Sequence, residues 1–361
     1  MVAHGPPLKG GITTVALDLV EDPTLNASFE MVFQNTSQAQ DKRGTLALEN
    51  ITRAFSHAFE TFRLARRGTV VHTHSVQDPT LVAWRQVLIA LAARLRGARV
   101  LLHNHAFRLY MEPARGYRVG LAHRIAYMLL DRMAHANILL APEGLANLEP
   151  LMPHTPMPVV PNSVVVDDFE LSTLDHSPIT LLFVGELLER KGVLVLLDAL
   201  DDLSARDLPE WQIKIVGDNQ MGLDPEKDRV VTEVRSRGYS SAMTGPVTRE
   251  EVYRQMARSD VFVFPTFVEG LPFSLIEAMA AGLPIVASDI PTIEGMITDD
   301  IHGKLVPVRD AHALADAVAE LISDVATRRR MGSAGRAKAV ETYDRKVFIE
   351  RIAALYREYG R

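Results

Sequence analysis

Apolar residues along this 361-residue chain switch repeatedly between short, near-continuous runs and a recurrence at helical spacing. The first pattern reads as a strand buried on both faces, the second as an amphipathic helix. Their alternation predicts parallel sheets with crossover helices. In the first half, β-branched runs predict strands over 69–72, 98–103, 137–141 and 158–160, with helical patterns over 46–65, 81–96 and 118–136. Pro156, Pro158 and Pro161 then punctuate the chain, and 162–178 reads as a connector. Beyond it the alternation restarts. Strands are predicted over 179–184, 211–216, 241–243, 261–265 and 284–287, and helices over 192–203, 226–238, 249–257, 274–281 and 311–324.

The expected architecture is therefore α/β, with two Rossmann-like domains over 1–165 and 166–345 facing a cleft that receives ligands at the carboxyl ends of the strands. A last helix, 346–361, carries Val347, Phe348, Ile352, Leu355 and Tyr356 as a stripe that needs a docking surface. It is expected to cross back onto the N-terminal domain. The opening strand is odd: only residues 1–4 precede Gly5-Pro6-Pro7. Either it is very short or residues that belong before it are lacking.

Composition narrows the chemistry. The chain has no cysteine, which excludes disulfides, thiolate metal sites and a cysteine nucleophile. Its start lacks a basic stretch followed by an apolar one, and no apolar run approaches the ~20 residues of a membrane span. A cytoplasmic protein is expected. The net charge of −6 is unevenly spread: 61–130 holds eleven Arg and no Lys against one Asp and one Glu, a surplus of nine, so the remainder carries −15. Such a block attracts phosphate or anionic headgroups, or is merely a solvated face of Arg-bearing helices. Within it, Trp84, Leu88, Leu91 and Leu95 share a helical stripe flanked by Arg85, Arg94 and Arg96. That pattern is compatible with peripheral contact at the inner face of a membrane, and also with core packing. Aromatics are too sparse for base stacking, so no nucleic-acid partner is expected.

The richest stretch runs from Phe264 to Asp289. A buried strand enters a loop holding Glu269 and Gly270, a helix starts near Ser274, and Gly282 and Pro284 lead into another buried strand. Amide groups at such a helix start favour an anion, and Gly270 allows close backbone approach. Each of Glu269 and Glu277 can accept two hydrogen bonds side by side, which suits neighbouring sugar hydroxyls. Glu277 sits among Leu275, Ile276, Ala278 and Met279, where an unpartnered carboxylate would be costly.

Glu269 and Glu277 form an E-x7-E pattern with Glu-Gly-Leu-Pro and Glu-Ala-Met-Ala at its ends. This resembles the retaining nucleotide-sugar glycosyltransferases of family 4, which have the GT-B fold. Companion segments stand in the same order: Gly185-Glu-Leu-Leu-Glu-Arg-Lys-Gly is similar to that family's Gly-Arg-Leu…Lys-Gly turn, Val216-Gly-Asp to its Gly-Asp-Gly turn, Pro161-Asn162 to its Pro-Asn, and Lys9-Gly-Gly-Ile to its Gly-Gly loop. Val71-His-Thr-His and Leu102-His-Asn-His resemble its histidine-bearing strand ends.

The resemblance implies that Glu277 holds the donor ribose, while Glu269 and the backbone of Gly270, Leu271, Pro272 and Phe273, leading into Ser274, hold the transferred sugar. Lys191 and the amides of Gly10 and Gly11 would bind the diphosphate. His105 aligns with an active-site histidine, and His103 is a weaker candidate on the same strand face. Two positions depart from the family. Glu186 stands where an Arg is usual, with Arg190 four residues on as a replacement charge, and Asn219 replaces the second glycine of Gly-Asp-Gly, a position where Asn tolerates a left-handed backbone. No metal-binding Asp-x-Asp stands at a strand end, so no obligatory metal and no cofactor beyond the nucleotide-sugar donor is expected.

The resulting expectation is sugar transfer from a nucleotide-diphosphate sugar to a sugar, lipid-linked or small-molecule acceptor, in surface polysaccharide or lipid-linked glycan assembly. A natural-product glycosyltransferase, a GT-B nucleotide-sugar epimerase and a non-catalytic GT-B subunit remain alternatives.

Overall fold

The computed structural model describes residues 1–6, 11–37, 48–76, 80–105, 120–222 and 224–360. The chain divides into two compact units, Met1–Asn162 with Lys346–Arg361 (unit 1) and Ser163–Arg345 (unit 2).

Unit 1 is built on β1 (Val2–Ala3), β2 (Gln34–Asn35), β3 (Val70–Ser75), β4 (Arg99–Asn104) and β5 (Ala136–Leu139), all parallel in the order β2-β1-β3-β4-β5. Its helices are α1 (Gly11–Glu21), α2 (Pro23–Asn26), α3 (Leu48–Leu64), α4 (Thr80–Leu95), α5 (Leu121–Met133) and α6 (Leu145–Leu148). Unit 2 holds β6 (Ile179–Val184), β7 (Trp211–Val216), β8 (Met243–Gly245), β9 (Val261–Phe264), β10 (Ile285–Ser288) and β11 (Gly303–Val306), parallel in the order β11-β10-β9-β6-β7-β8. Its helices are α7 (Val193–Ser204), α8 (Pro225–Ser236), α9 (Arg249–Ala257), α10 (Phe273–Ala280), α11 (Pro291–Met296), α12 (Ala311–Ser323) and α13 (Val325–Lys338). A final helix, α14 (Arg345–Tyr359), buries Phe348, Ile349, Ile352 and Tyr356, and the Tyr356 hydroxyl lies 2.7 Å from His72 Nδ1 of β3.

Each sheet has its own core. In unit 1, Val71, Val100 and Leu102 pack with Ile89, Tyr127 and Leu130; in unit 2, Leu181, Phe183, Ile215 and Val263 pack with Leu197, Leu200 and Leu321. Near-continuous apolar runs are the signature of strands covered on both faces, and β6 and β7 follow the predicted spans residue for residue.

The differences from the sequence pattern are instructive. β3 runs on to Ser75 because His72, Thr73, His74 and Ser75 are buried polar residues that break the apolar run without ending the strand. The 158–160 segment is only an isolated bridge, Leu139 to Val159. The opening strand β1 is only two residues long, and β2, the edge strand β11, and helices α1 and α13 carried too little apolar periodicity to be predicted. α13 packs through glycines rather than an apolar stripe: a Cβ on Gly332 would stand 2.0 Å from the Gly282 carbonyl oxygen. Its Arg328, fully buried, donates to the carbonyls of Leu174 and Ile322.

The stripe on α4 is also corrected. α4 packs on β3 and β4 between α3 and α5, so Arg85 is buried, Trp84 and Leu88 are half-buried, and only Leu91 and Leu95 of the four reach solvent.

Candidate functional site

The glutamate motif of unit 2 lies where β9 hands over to α10. β9 ends at Phe264, the loop 265–272 carries Glu269, and α10 starts at Phe273, one residue before the predicted start. Pro272 precedes the helix, and no side chain caps its first turn, so amides there stay available to an anion. Glu269 is buried, and its Oε1 accepts hydrogen bonds from Thr266 Oγ1 at 2.9 Å and from Lys191 Nζ at 2.5 Å. Lys191 and Glu269 are 78 residues apart in sequence, and the fold brings them into one ion pair.

Gly192 makes that meeting feasible. It adopts φ +72°, and a Cβ there would lie 1.8 Å from the Pro265 carbonyl oxygen. Only glycine permits such an approach. The turn is then sewn to the loop: the Phe267 amide donates to the Arg190 carbonyl at 2.8 Å. A second close approach joins the neighbouring turns, since a Cβ on Gly217 would stand 2.2 Å from the Gly185 carbonyl oxygen.

Glu277 lies on α10 among the fully buried Leu275, Ile276, Ala278 and Met279. Burial pushes its carboxyl pKa up, and the Arg249 guanidinium, 3.6 Å from Oε1, opposes that shift. Arg249 itself lies 5.5 Å from the Tyr253 ring centre. Sequence reasoning recognised that Glu277 needed a partner but did not find Arg249, which opens a helix 28 residues earlier with no local signal beyond the Thr248 cap. It also missed Thr266.

One sequence expectation is corrected here: Asn219 is not left-handed, since the non-glycine residues with positive φ among those described are Leu174, Asp300 and Arg309. Arg190 pairs with Glu186 four residues earlier, both side chains reaching solvent. Gly270, Leu271 and Ser274 stand in the loop and first turn beside Glu269.

In unit 1, β3 and β4 pair with His74 directly opposite His103. Side chains two apart share a face in a strand, and His72, His74, His103 and His105 accordingly form one stacked, buried array with ring centres 4.3 to 5.3 Å apart. His105 Nε2 lies 2.8 Å from His74 Nδ1, and His72 Nε2 lies 3.2 Å from His103 Nδ1. Burial lowers all four pKa values, that of His105 to about 3, so the rings are neutral at physiological pH. His72, His74 and His103 bring one nitrogen each within 4.8 Å of one another. Their planes cross at only 6°, 34° and 39°, so the rings lie alongside each other rather than converging as ligands do. Gly11 opens α1; Gly10 lies outside the described residues. No helix among the described residues is long and apolar enough to cross a membrane.

Comparison with known proteins agrees with the geometry of unit 2. Residues 167–338 match the family model described as glycosyl transferases group 1. The phosphatidyl-myo-inositol mannosyltransferase of Mycobacterium tuberculosis is 36% identical over 208 residues, covering 55% of this chain and 53% of that protein. The alpha-D-kanosaminyltransferase of Streptomyces kanamyceticus is 29% identical over 187 residues, covering 52% and 47%. The chain spans about half the length of the curated relatives it matches. Among solved structures, HepE of Anabaena in complex with UDP-glucose superposes over 99% of both chains with a TM-score of 0.74 at 15% identity. Residues 167–338 are thus similar to the glycosyl transferases group 1 domain, in a chain with the GT-B fold.

Proposed function

We propose that this chain is a retaining glycosyltransferase that moves a sugar from a nucleotide-diphosphate sugar to a hydroxyl acceptor in surface or lipid-linked glycan assembly. The observation that carries the reading is the Lys191–Glu269 pair, held beside the uncapped start of α10 within the matched family segment. Two of its relatives, the phosphatidyl-myo-inositol mannosyltransferase and an amylovoran biosynthesis glycosyltransferase of Erwinia amylovora, support glycan assembly as the setting.

In this reading the anomeric C–O bond to the diphosphate breaks, a bond to the acceptor oxygen forms on the same face, and the acceptor proton leaves on the departing phosphate. Negative charge grows on the diphosphate as the sugar departs. Lys191 has three N–H donors and places one on Glu269, leaving two for that charge, and the α10 amides face the same charge without reorganising. Glu269, fixed by Thr266 and Lys191, accepts from sugar hydroxyls, with Gly270, Leu271, Pro272 and Phe273 as its backbone wall. Glu277, whose burial raises its pKa against the opposing pull of Arg249, accepts from the two ribose hydroxyls when ionised. In unit 1, His105 is a neutral imidazole that can accept or donate a hydrogen bond, and Gly11 opens a helix whose amides suit phosphate. None of these steps requires a metal.

The test is turnover of UDP-, GDP- and dTDP-sugars with and without simple acceptors, with the product's anomeric configuration read by NMR. Acceptor-dependent release of nucleoside diphosphate, persisting in EDTA and giving a product with the donor's configuration, is expected. Glu269→Ala should lower kcat more than it raises donor KM, because its partner is the sugar that distorts in the transition state. Inverted product, or turnover of the donor without acceptor, would overturn the reading.

A further inference from the structure

α3 faces the wrong way for a helix that serves only its own core. Its buried stripe is Asn50, Ala54, His57 and Thr61. β2 anchors this stripe: Gln34 Nε2 donates to the His57 backbone carbonyl at 2.8 Å, and Thr61 Oγ1 donates to Gln34 Oε1 at 2.8 Å. A second stripe at helical spacing, Ile51, Phe55, Phe59 and Phe62, is exposed, with Phe55 at 59% and Phe59 at 64%. A helix driven only by burial of its apolar side would exchange the two stripes.

The exposure continues across the layer. α4 lies between α3 and α5 and exposes Leu91 and Leu95, while α5 exposes Leu121, Ile125 and Met128 at helical spacing. The Arg96 guanidinium sits 5.1 Å from the Phe62 ring centre and so joins the α3 stripe to the end of α4. In unit 2, by contrast, the exposed large apolar residues (Leu171, Met221, Ile301, Val325 and Val340) are scattered along the chain. A contiguous apolar face of this kind marks an interaction surface.

Charge selects the occupant. Arg63, Arg94, Arg96 and Arg132 stand on or at the ends of the same helices, exposed, and none has a carboxylate ion-pair partner among the described residues. Two copies of this face would set arginine against arginine. An anionic bilayer surface instead offers its acyl boundary to the phenyl rings and its phosphates to the guanidinium groups.

We propose that the outer face of α3, α4 and α5 docks on an anionic lipid surface. The aromatic stripe of α3 leads, rather than the Trp84–Leu88 turn of α4, and the arginines rim it. This inference stands on unit 1 alone and is independent of the donor chemistry, so it can fail while glycosyl transfer holds, and the reverse.

The test is co-sedimentation of the full chain with vesicles of phosphatidylcholine alone or mixed with phosphatidylglycerol, alongside sedimentation equilibrium without lipid. The parent should pellet with the anionic vesicles only and be released by salt. Phe55→Ser with Phe59→Ser should weaken binding by about tenfold or more while keeping the parent's unfolding curve. Leu95→Ser with Leu121→Ser, on the other two helices, should act in the same direction, and Arg63→Gln with Arg94→Gln should flatten the salt dependence. Three results would overturn the proposal: equal recovery from both vesicle types, serine variants that pellet like the parent, or a lipid-free dimer that the phenylalanine variant dissociates. The last would assign the face to a second copy of the chain.

Discussion

Acidification should unfold unit 1 through its histidine array. His72, His74, His103 and His105 are buried, and burial lowers the pKa of each, to about 3 for His105. In the unfolded chain each would titrate near 6.5. Below that pH the unfolded state binds protons that the folded state refuses, so stability falls as pH falls, from about 6.5 down towards the depressed folded values. At pH ~5 each ring contributes a loss of about 2 kcal/mol, and four independent rings would lose ~8 kcal/mol, comparable with a domain's whole stability of about 5–15 kcal/mol. The assay is urea unfolding followed by tryptophan fluorescence. The chain has two tryptophans, Trp84 in unit 1 and Trp211 in unit 2, so Trp211→Phe leaves a reporter of unit 1 alone. Its midpoint should drop steeply between about pH 6.5 and 5, and His74→Gln with His103→Gln should flatten that slope without abolishing it, because the other two rings of the array remain and His57 and His135 of the same unit, each lowered to about 4, add to it. A unit 1 midpoint that is level from about pH 7.5 to 5 would refute the claim that these rings are held neutral by burial.

Further outcomes follow from unit 2. Gly192→Ala should destabilise it by at least ~3 kcal/mol, because the new Cβ meets the Pro265 carbonyl oxygen at 1.8 Å and the backbone is left-handed; thermal unfolding of the Trp84→Phe chain, reporting through Trp211, measures it, and an unchanged Tm would show that the turn relaxes freely. Arg249→Ala should leave the buried Glu277 without its opposing cation, so its pKa rises and donor KM climbs as pH falls, whereas Arg249→Lys should restore much of the parent profile. Donor KM with the same pH profile in parent and alanine variant would remove Arg249 from the site.

Much of this arrangement was legible in the sequence because it rests on local rules. β6 and β7 are continuous apolar runs with one assignment, and Gly270, Pro272 and Gly282 punctuate α10 from both sides. Glu277 announced itself as a carboxylate among buried apolar neighbours. What the sequence hid was long-range or inverted. Lys191 and Glu269 are each plausible alone, but only the close approach at Gly192 makes them partners. α13 packs through Gly332 and a buried Arg328, which apolar periodicity cannot register. On α3 the helical pattern was visible, but not that its apolar stripe Ile51, Phe55, Phe59 and Phe62 is the exposed one.

The central claim is that Lys191 and Glu277 belong to a nucleotide-diphosphate site in unit 2, and calorimetric titration of UDP and GDP into the full chain tests it without requiring an acceptor. The account predicts saturable binding of at least one of them to the parent, with Lys191→Ala and Glu277→Ala each weakening it about 10- to 150-fold, the loss of a charge-assisted hydrogen bond worth ~1.5–3 kcal/mol. Two alanine variants that fold and bind the nucleotide as tightly as the parent would contradict it.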